Sequence, residues 1–394
     1  MTRLAIEPLH LHVVAADAAV GLIPPAAPHG QTRLPAGNLG EVFDDEAADP
    51  VGAGDRTRNR MQSLIERGRY RRCDAVMAIH QMQRDNDTAT ALVAALPRAV
   101  FTSDAVLPHE ATHSDREVAL QAFLAAAALD LSPIILAYGN EPALSEVIAT
   151  VTERASDEEF TDLGNTRHRI WLVDDRQTQT ALAEAVGRVS QASVVDGHHR
   201  LAAARADQTA NAVMVELFAD GDIELLAFDR QVVMSASDVA AFVGQMLQQP
   251  SIEVVAETQP RRPADHREFL FHASRWYRAR FVEPASDLVA GLSPVRLQTE
   301  VLAPMCGITD PRTDVRLRHW PSTTEPANLS PDRLDAASVY FVPAAVSMED
   351  IHRVACRRRV LPPKSTFVAG KPPPGIFVAL RVRYTTKIAE NTVA

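Results

Sequence analysis

Residues 193–206 read SVVDGHHRLAAARA. A short apolar run through Val195 is interrupted by Asp196 and Gly197. Leu201 to Ala206 is then dominated by alanine, the strongest helix former. The stretch predicts a buried strand ending at Asp196 and a helix beginning near His199. Gly197 permits the tight turn between them, or a close backbone approach. N–H groups at such a helix start can face a bound anion, with Arg200 as a charged donor. An ionised Asp196 only accepts hydrogen bonds, so it can bind Mg²⁺ or take a proton from a hydroxyl. His198 and His199 can donate to phosphate or move protons. A plainer reading has Asp196 capping the helix and both histidines in solvent.

Working outward, residues 117–235 alternate helix and strand. Helices are expected over Glu117 to Leu129 (entered through Ser114 and Asp115), Glu141 to Arg154, and Thr178 to Val189. Strands are expected at Ile134 to Tyr138, Arg169 to Val173, Ala192 to Val195, and Ala212 to Phe218. This is the pattern of a mixed α/β layer structure. Upstream, Asp74 to His80 reads as a strand and Arg58 to Arg69 as a helix. Residues 24–56, rich in Pro, Gly, Asp and Ala, read as a long loop. Beyond residue 235 the pattern loosens. Val239 to Gln249 and Met348 to Cys356 read as helices, with strands at Phe269 to Phe281, at Ser338 to Val342, and at the end of Phe367 to Tyr384. No internal repeat is visible.

The chain has 394 residues, 46% hydrophobic and 23% charged, which excludes a wholly disordered or collagen-like protein. Its formal charge of −10 argues against non-specific nucleic-acid binding. Cys73, Cys306 and Cys356 are scattered, with no CxxC pair, so neither a disulfide framework nor a cysteine zinc site is expected. The N-terminus lacks the basic and apolar segments of a signal peptide. The apolar stretch Val118 to Ala137 is interrupted by Gln121, Asp130 and Pro133, so it reads as a helix and a strand rather than a membrane span. A cytoplasmic protein is expected.

Two further clusters carry chemistry. In LPHEATHSDRE, residues 107–117, Glu110 follows His109 and precedes a helical stretch. It can serve the helix dipole, or act as a general base. In LPPKSTFVAGKPPPG, residues 361–375, Lys364, Ser365 and Thr366 offer an ammonium and two hydroxyls in a proline-fixed loop. The loop lacks the glycines of a Walker A motif. It sits in a run from Ile351 to Ala389 that has many basic residues and no acidic one, which fits an anion site or a solvated basic strand edge. GxSxG and GxGxxG motifs are absent.

In this order, these clusters resemble the family called domain of unknown function 1015. The likeness also covers SPIILAYG at 132–139, RIWLVDD at 169–175 and VLAPMCGITDPR at 301–312. The HE, DGHHR and PKT-type elements are similar to those of archaeal free serine kinases. That resemblance implies an α+β fold with a ParB/sulfiredoxin-like core and family-specific extensions at both ends. The corresponding division is 1–100, a core over 101–235 with HE and DGHHR, and 236–394 carrying PPKST. It implies phosphoryl transfer from ATP or ADP, with Mg²⁺, to the hydroxyl of free L-serine or a similar compound. Glu110, Asp196, His198 and His199 are then catalytic, with Asp196 a metal-facing group. Gly197, Arg200, Lys364, Ser365 and Thr366 hold nucleotide and phosphate, and His109 and Arg230 the substrate. The sequence departs from the family where Pro24-Pro25 is followed by Ala26-Ala27, at Leu201 after DGHHR, and at Asp229-Arg230, where relatives carry His-Arg. The competing readings are a nucleotide-binding ParB-like regulator and a catalytically inactive member. The sequence predicts neither a membrane nor a nucleic-acid partner.

Overall fold

The computed structural model describes residues 2–16, 18–19, 49–112, 114–330, 333–335 and 337–381. Two compact units interleave along the chain. Unit 1 holds residues 1–106, 112–222 and 370–394, and unit 2 holds 107–111 and 223–369. Both mix helices with sheets, and the alternation expected over 117–235 falls mainly within unit 1.

Unit 1 is built on a twisted sheet whose central strands run in the order 192–196, 134–138, 212–219, 87–97, 70–84, 9–14, 377–380 and 129–130. Strands 134–138 and 212–219 are parallel; the other pairs in this row are antiparallel. The long strand Tyr70–Arg84 is bent by a bulge, because Leu9 pairs with Val76 while Leu11 pairs with Cys73. Ala75 there takes a left-handed φ of 54°. Past the bulge the strand pairs with Asp87–Pro97 and with Arg167–Val173. Asp85, at φ 52°, turns the chain between the paired Arg84 and Asp87.

Side-chain alternation buries both faces. Leu92, Leu136, Val194, Val215 and Trp171 pack to one side, and Val13, Val93, Met214, Phe123 and Phe377 to the other. Helices Pro50–Glu66 and Ser114–Ala127 cover the second side. Gly54 lets them meet, since a Cβ there would stand 2.6 Å from the Phe123 carbonyl oxygen. The loop expected over 24–56 is therefore corrected at its end. Asp49 caps a helix by accepting from the Gly52 N–H, and Pro50 occupies the first turn. Residues 24–48 lie outside the described residues, as do 382–384 of the last expected strand.

The second face also buries a polar chain. His80 Nδ1 lies 2.6 Å from Glu216 Oε1, His80 Nε2 3.0 Å from His168 Nδ1, and His168 Nε2 3.3 Å from Asp162 Oδ2. His80, His168 and Glu216 are fully buried. Such a chain holds together because each carboxylate has an imidazole nitrogen within hydrogen-bond reach.

Unit 2 carries an all-antiparallel sheet in the order 252–256, 276–281, 268–272, 338–343, 228–233 and 317–321. Helix Ala236–Gln248 packs Phe242 edge-on to Phe271 and Phe341, at ring distances of 5.7 and 5.6 Å. The expected strand region Phe269 to Phe281 is a hairpin of two strands, Glu268–His272 and Trp276–Phe281. Among the described residues no helix is long and apolar enough to cross a membrane.

His80→Leu leaves Glu216 buried without its imidazole partner. The expected loss is about 3 kcal/mol of unfolding free energy in urea, and a loss below about 1 kcal/mol would show that the carboxylate needs no such partner.

Candidate functional site

In unit 1, the strand–turn–helix of the opening motif forms as the sequence predicts. Strand Ala192–Asp196 ends at Gly197, and helix His198–Ala206 begins one residue earlier than expected. Gly197 has φ 95°, a left-handed conformation open to glycine, and a Cβ on it would stand 3.0 Å from the Arg200 guanidinium. It is the N-cap of the helix and supplies no side-chain cap. Asp196 does not cap the helix. Its Oδ1 accepts from Lys371 Nζ at 2.9 Å and its Oδ2 from Arg200 Nη2 at 2.7 Å. The first-turn N–H groups, which a helix cannot bond internally, are thus not claimed by that carboxylate.

Burial alone would raise the Asp196 pKa, but Lys371 and Arg200 outweigh it and bring the carboxyl down to about 2. Asp196 is therefore ionised at neutral pH and is a weak base. Arg200 is also held by the Ser132 carbonyl at 2.7 Å and by the Pro133 carbonyl. Its guanidinium is fixed by protein acceptors, so it positions Asp196 as much as it offers charge outward. His198 is buried, and burial brings its imidazole down to about 4 despite the attraction of Asp196. It is neutral at pH 7. His199 is half-buried beside it. A cavity of about 90 Å³ adjoins Arg200, lined by Phe123, Leu131, Met214 and Arg381 among others.

The expectation of Asp196 as a metal ligand does not fit its surroundings. Both its oxygens are already bonded to cationic side chains, and Mg²⁺ needs several free oxygen donors. Among the described residues there is no cluster of three or more His, Cys, Asp or Glu that could hold a metal.

In unit 2, the HE and PPKST segments lie together. The Leu361 N–H donates to the His109 carbonyl at 2.8 Å, and Glu110 bridges Leu361 in parallel. His109 is fully buried, and its Nε2 lies 3.3 Å from Thr366 Oγ1. Ser365 is buried, and its hydroxyl closes the turn by donating to the Pro362 carbonyl at 2.6 Å. Lys364 is exposed, at a left-handed φ of 58°. Of the three expected phosphate ligands in this loop, Lys364 projects while Ser365 and Thr366 are turned inward on protein partners. Glu110 is half-buried. Arg230 is buried at 2% exposure, and its backbone pairs with both Phe341 and His319.

Two residues at these centres were not singled out by sequence reasoning. Lys371 stood only within the basic run, and the GKPPPG phrase was its sole signal. His319 belongs to a strand, Leu317–Pro321, that the sequence pattern did not disclose.

The family model described as a protein of unknown function, DUF1015, matches residues 38–301, more than half of the chain. The chain belongs to this family. Similar solved structures include C-terminally truncated SbnI from Staphylococcus aureus, at 12% identity and TM-score 0.41, covering 73% of this chain and 87% of that one. A free serine kinase variant in complex with ADP matches at 12% identity and TM-score 0.42, covering 76% and 94%. A conserved hypothetical protein from Pyrococcus furiosus matches at 14% and 0.39, covering 71% and 94%. At these values the likeness carries no functional inference. No curated protein matches the chain.

Asp196 links the junction to acid stability. Its folded pKa of about 2 lies below the ordinary value near ~3.9, so its contribution is complete above about pH 4 and is lost as pH falls towards 2. Lys371→Met is expected to move the Asp196 titration upward in carboxyl carbon NMR. An unmoved titration would mean that Arg200 alone holds the carboxylate ionised.

Proposed function

We propose that the protein is a small-molecule kinase with a ParB/sulfiredoxin-like core, transferring a phosphoryl group from ATP or ADP to the hydroxyl of free L-serine or a similar compound. The observation that carries this reading is the Asp196–Gly197 junction. A glycine-capped helix start lies beside a carboxylate that is paired with two cations, leaving one net positive charge. A phosphate chain suits that arrangement, since first-turn N–H groups and fixed cations stabilise it with little reorganisation. The motif resemblance to free serine kinases supports the same assignment.

In this reading Glu110 takes the proton from the acceptor hydroxyl. The hydroxyl oxygen then attacks the terminal phosphorus, and the phosphorus–oxygen bond to the nucleotide breaks, leaving ADP from ATP or AMP from ADP. Asp196 is too weak a base for the proton and acts by fixing Lys371 and Arg200. The Gly197 turn shapes the cradle, and His199 donates hydrogen bonds to the phosphates beside neutral His198, whose single N–H is taken by the Val194 backbone. Lys364 supplies charge, with Ser365 and Thr366 shaping its loop, while His109 and Arg230 serve the substrate. Mg²⁺ enters only as the counter-ion of the nucleotide substrate. A cytoplasmic site of action belongs to the same proposal.

The test incubates the full chain with L-serine and the Mg²⁺ complex of ATP or ADP, and reads O-phospho-L-serine by mass. Glu110→Gln is expected to lower the rate about 10²- to 10⁴-fold, and Asp196→Asn to lower it too. A folded protein that binds nucleotide yet yields no product with either donor would replace the kinase reading with the nucleotide-binding regulator. Absence of nucleotide binding as well would point to the inactive member.

A further inference from the structure

The buried polar chain on the second face of the unit 1 sheet makes three contacts, and each needs a proton. Two acceptor atoms approach to hydrogen-bond distance only with a hydrogen between them. Asp162 fixes the outer end. Its Oδ1 accepts from the Gly164 and Thr166 N–H groups at 2.8 and 2.9 Å. Burial would raise its pKa, but the bond to His168 and those two amides outweigh it and hold the carboxyl below its usual range. Asp162 is therefore an acceptor, and His168 Nε2 carries a proton towards it at 3.3 Å. Burial also holds the His168 imidazole below its ordinary range despite the Asp162 carboxylate. His168 is thus neutral, and its Nδ1 accepts. His80 Nε2, 3.0 Å away, must donate. The last contact, His80 Nδ1 to Glu216 Oε1 at 2.6 Å, then calls for a third proton.

Two neutral imidazoles supply two protons, so one is in excess. It sits on Glu216, leaving both imidazoles neutral, or on His80, making an imidazolium opposite a carboxylate. Either way the four side chains carry one negative charge rather than two. Glu216 Oε2 is buried with no hydrogen-bond partner, which costs less on a carboxylic acid than on an anion. Among the described residues Glu216 has no ion-pair partner except His80. The elements packed on this face add mostly apolar groups. Strands turn Val13, Val93, Met214 and Phe377 towards it, and the two covering helices Met61 and Phe123. The nearest other polar groups are engaged elsewhere. Glu158 pairs with Arg71 at 3.6 Å, Asp130 with Arg381 at 3.0 Å, and the Tyr70 hydroxyl donates to the Gly375 carbonyl.

We propose that this third proton latches the outer hairpin of the sheet, strands Glu158–Thr161 and Arg167–Val173, and that its loss in alkaline solution releases the hairpin. The hairpin joins the sheet through strand Tyr70–Arg84, and His168 is its polar link to His80. When the proton leaves, the buried Glu216 anion still requires an N–H, so His80 turns its single proton to Nδ1. Its bare Nε2 then opposes the bare Nδ1 of His168, and the break falls between the long strand and the hairpin. The folded chain holds one excess proton. Above the ordinary histidine pKa of about 6.5 the unfolded chain holds less than that, so unfolding releases protons and the stability the latch adds falls as pH rises. Below it the unfolded histidines bind more protons than the folded ones, and stability falls as pH falls. The inference concerns unit 1 alone and does not rest on phosphoryl transfer.

The test is nitrogen-15 imidazole NMR and amide hydrogen exchange on the full chain. At about pH 7, His80 is expected to carry a proton on Nε2, and His168 on Nε2 alone. Exchange protection of the hairpin, divided by that of strand Ile134–Tyr138, is expected to fall about tenfold or more between about pH 7 and pH 9. Glu216→Gln checks the assignment, because its amide N–H donates to His80 Nδ1 at every pH. That variant should keep its neutral-pH ratio in alkali. In weakly buffered urea at about pH 8, unfolding of the unsubstituted chain should release about one more proton than unfolding of the variant. The unsubstituted chain's NMR and exchange ratio decide the matter even where the variant does not fold. His80 protonated on Nδ1 alone at neutral pH, a ratio that ignores pH, or a variant hairpin that loosens as the unsubstituted one does, overturns the proposal.

Discussion

The pairing of Asp196 with Lys371 and Arg200 is the constraint on which the proposed phosphate cradle depends. A lone carboxylate at the end of a strand would repel a phosphate. Placed between an ammonium and a guanidinium, it becomes the anchor that holds two cations in fixed positions. Arg200 is one helical turn away in sequence and is further clamped by the Ser132 and Pro133 carbonyls. Lys371 comes from 175 residues away, where the chain returns to unit 1 before adding strand Phe377–Leu380 to its sheet. One short ion pair therefore ties the late basic segment to the early strand–helix junction. On a protein with a net charge of −10, this makes a locally positive point without an extended basic surface.

The cradle was legible in sequence to the extent that its order is local. Strand Ile134–Tyr138 and helix Met348–Cys356 were readable end to end, because apolar runs there are bounded by turn or capping residues. The left-handed turn at Gly197 was readable for the same reason. Non-local charge pairing was not. Nothing near Lys371 says which carboxylate it meets, and a proline-rich loop reads as solvent-exposed until a sheet draws it in. Strand Asp87–Pro97 was missed because TATALVAAL contains four helix-forming alanines against three strand formers, and pairing with its long neighbour decides between them. The helix from Pro50 was hidden by proline and glycine, which read as loop even though Asp49 caps the first turn and Gly54 serves helix contact.

Buried polar groups were the least legible class. A histidine within a strand carries no sequence mark that separates a core position from a solvent one. His80 lies in register with Ile170, and on the alternating face that also carries Ala78 and Met82. The apolar period runs straight through it, which is the only trace of its burial. Its partners sit on other strands, so sheet register brings three of the four polar side chains together, and Asp162 joins from the turn after strand Glu158–Thr161.

The same rule of alternation separates Asp229 from Arg230. Read as a dipeptide, the two look self-neutralising. On a strand they make no direct pair, because successive side chains leave opposite faces, though the charge of Asp229 still acts on Arg230. Asp229 is answered by Arg262, Tyr340 and Ser322, while Arg230 meets only carbonyl oxygens among the described residues. The resulting asymmetry is chemical as well as geometric. One face of the strand is closed by a satisfied carboxylate, and the other holds a guanidinium whose direct acceptors among the described residues are carbonyl oxygens, next to Lys364 and His319.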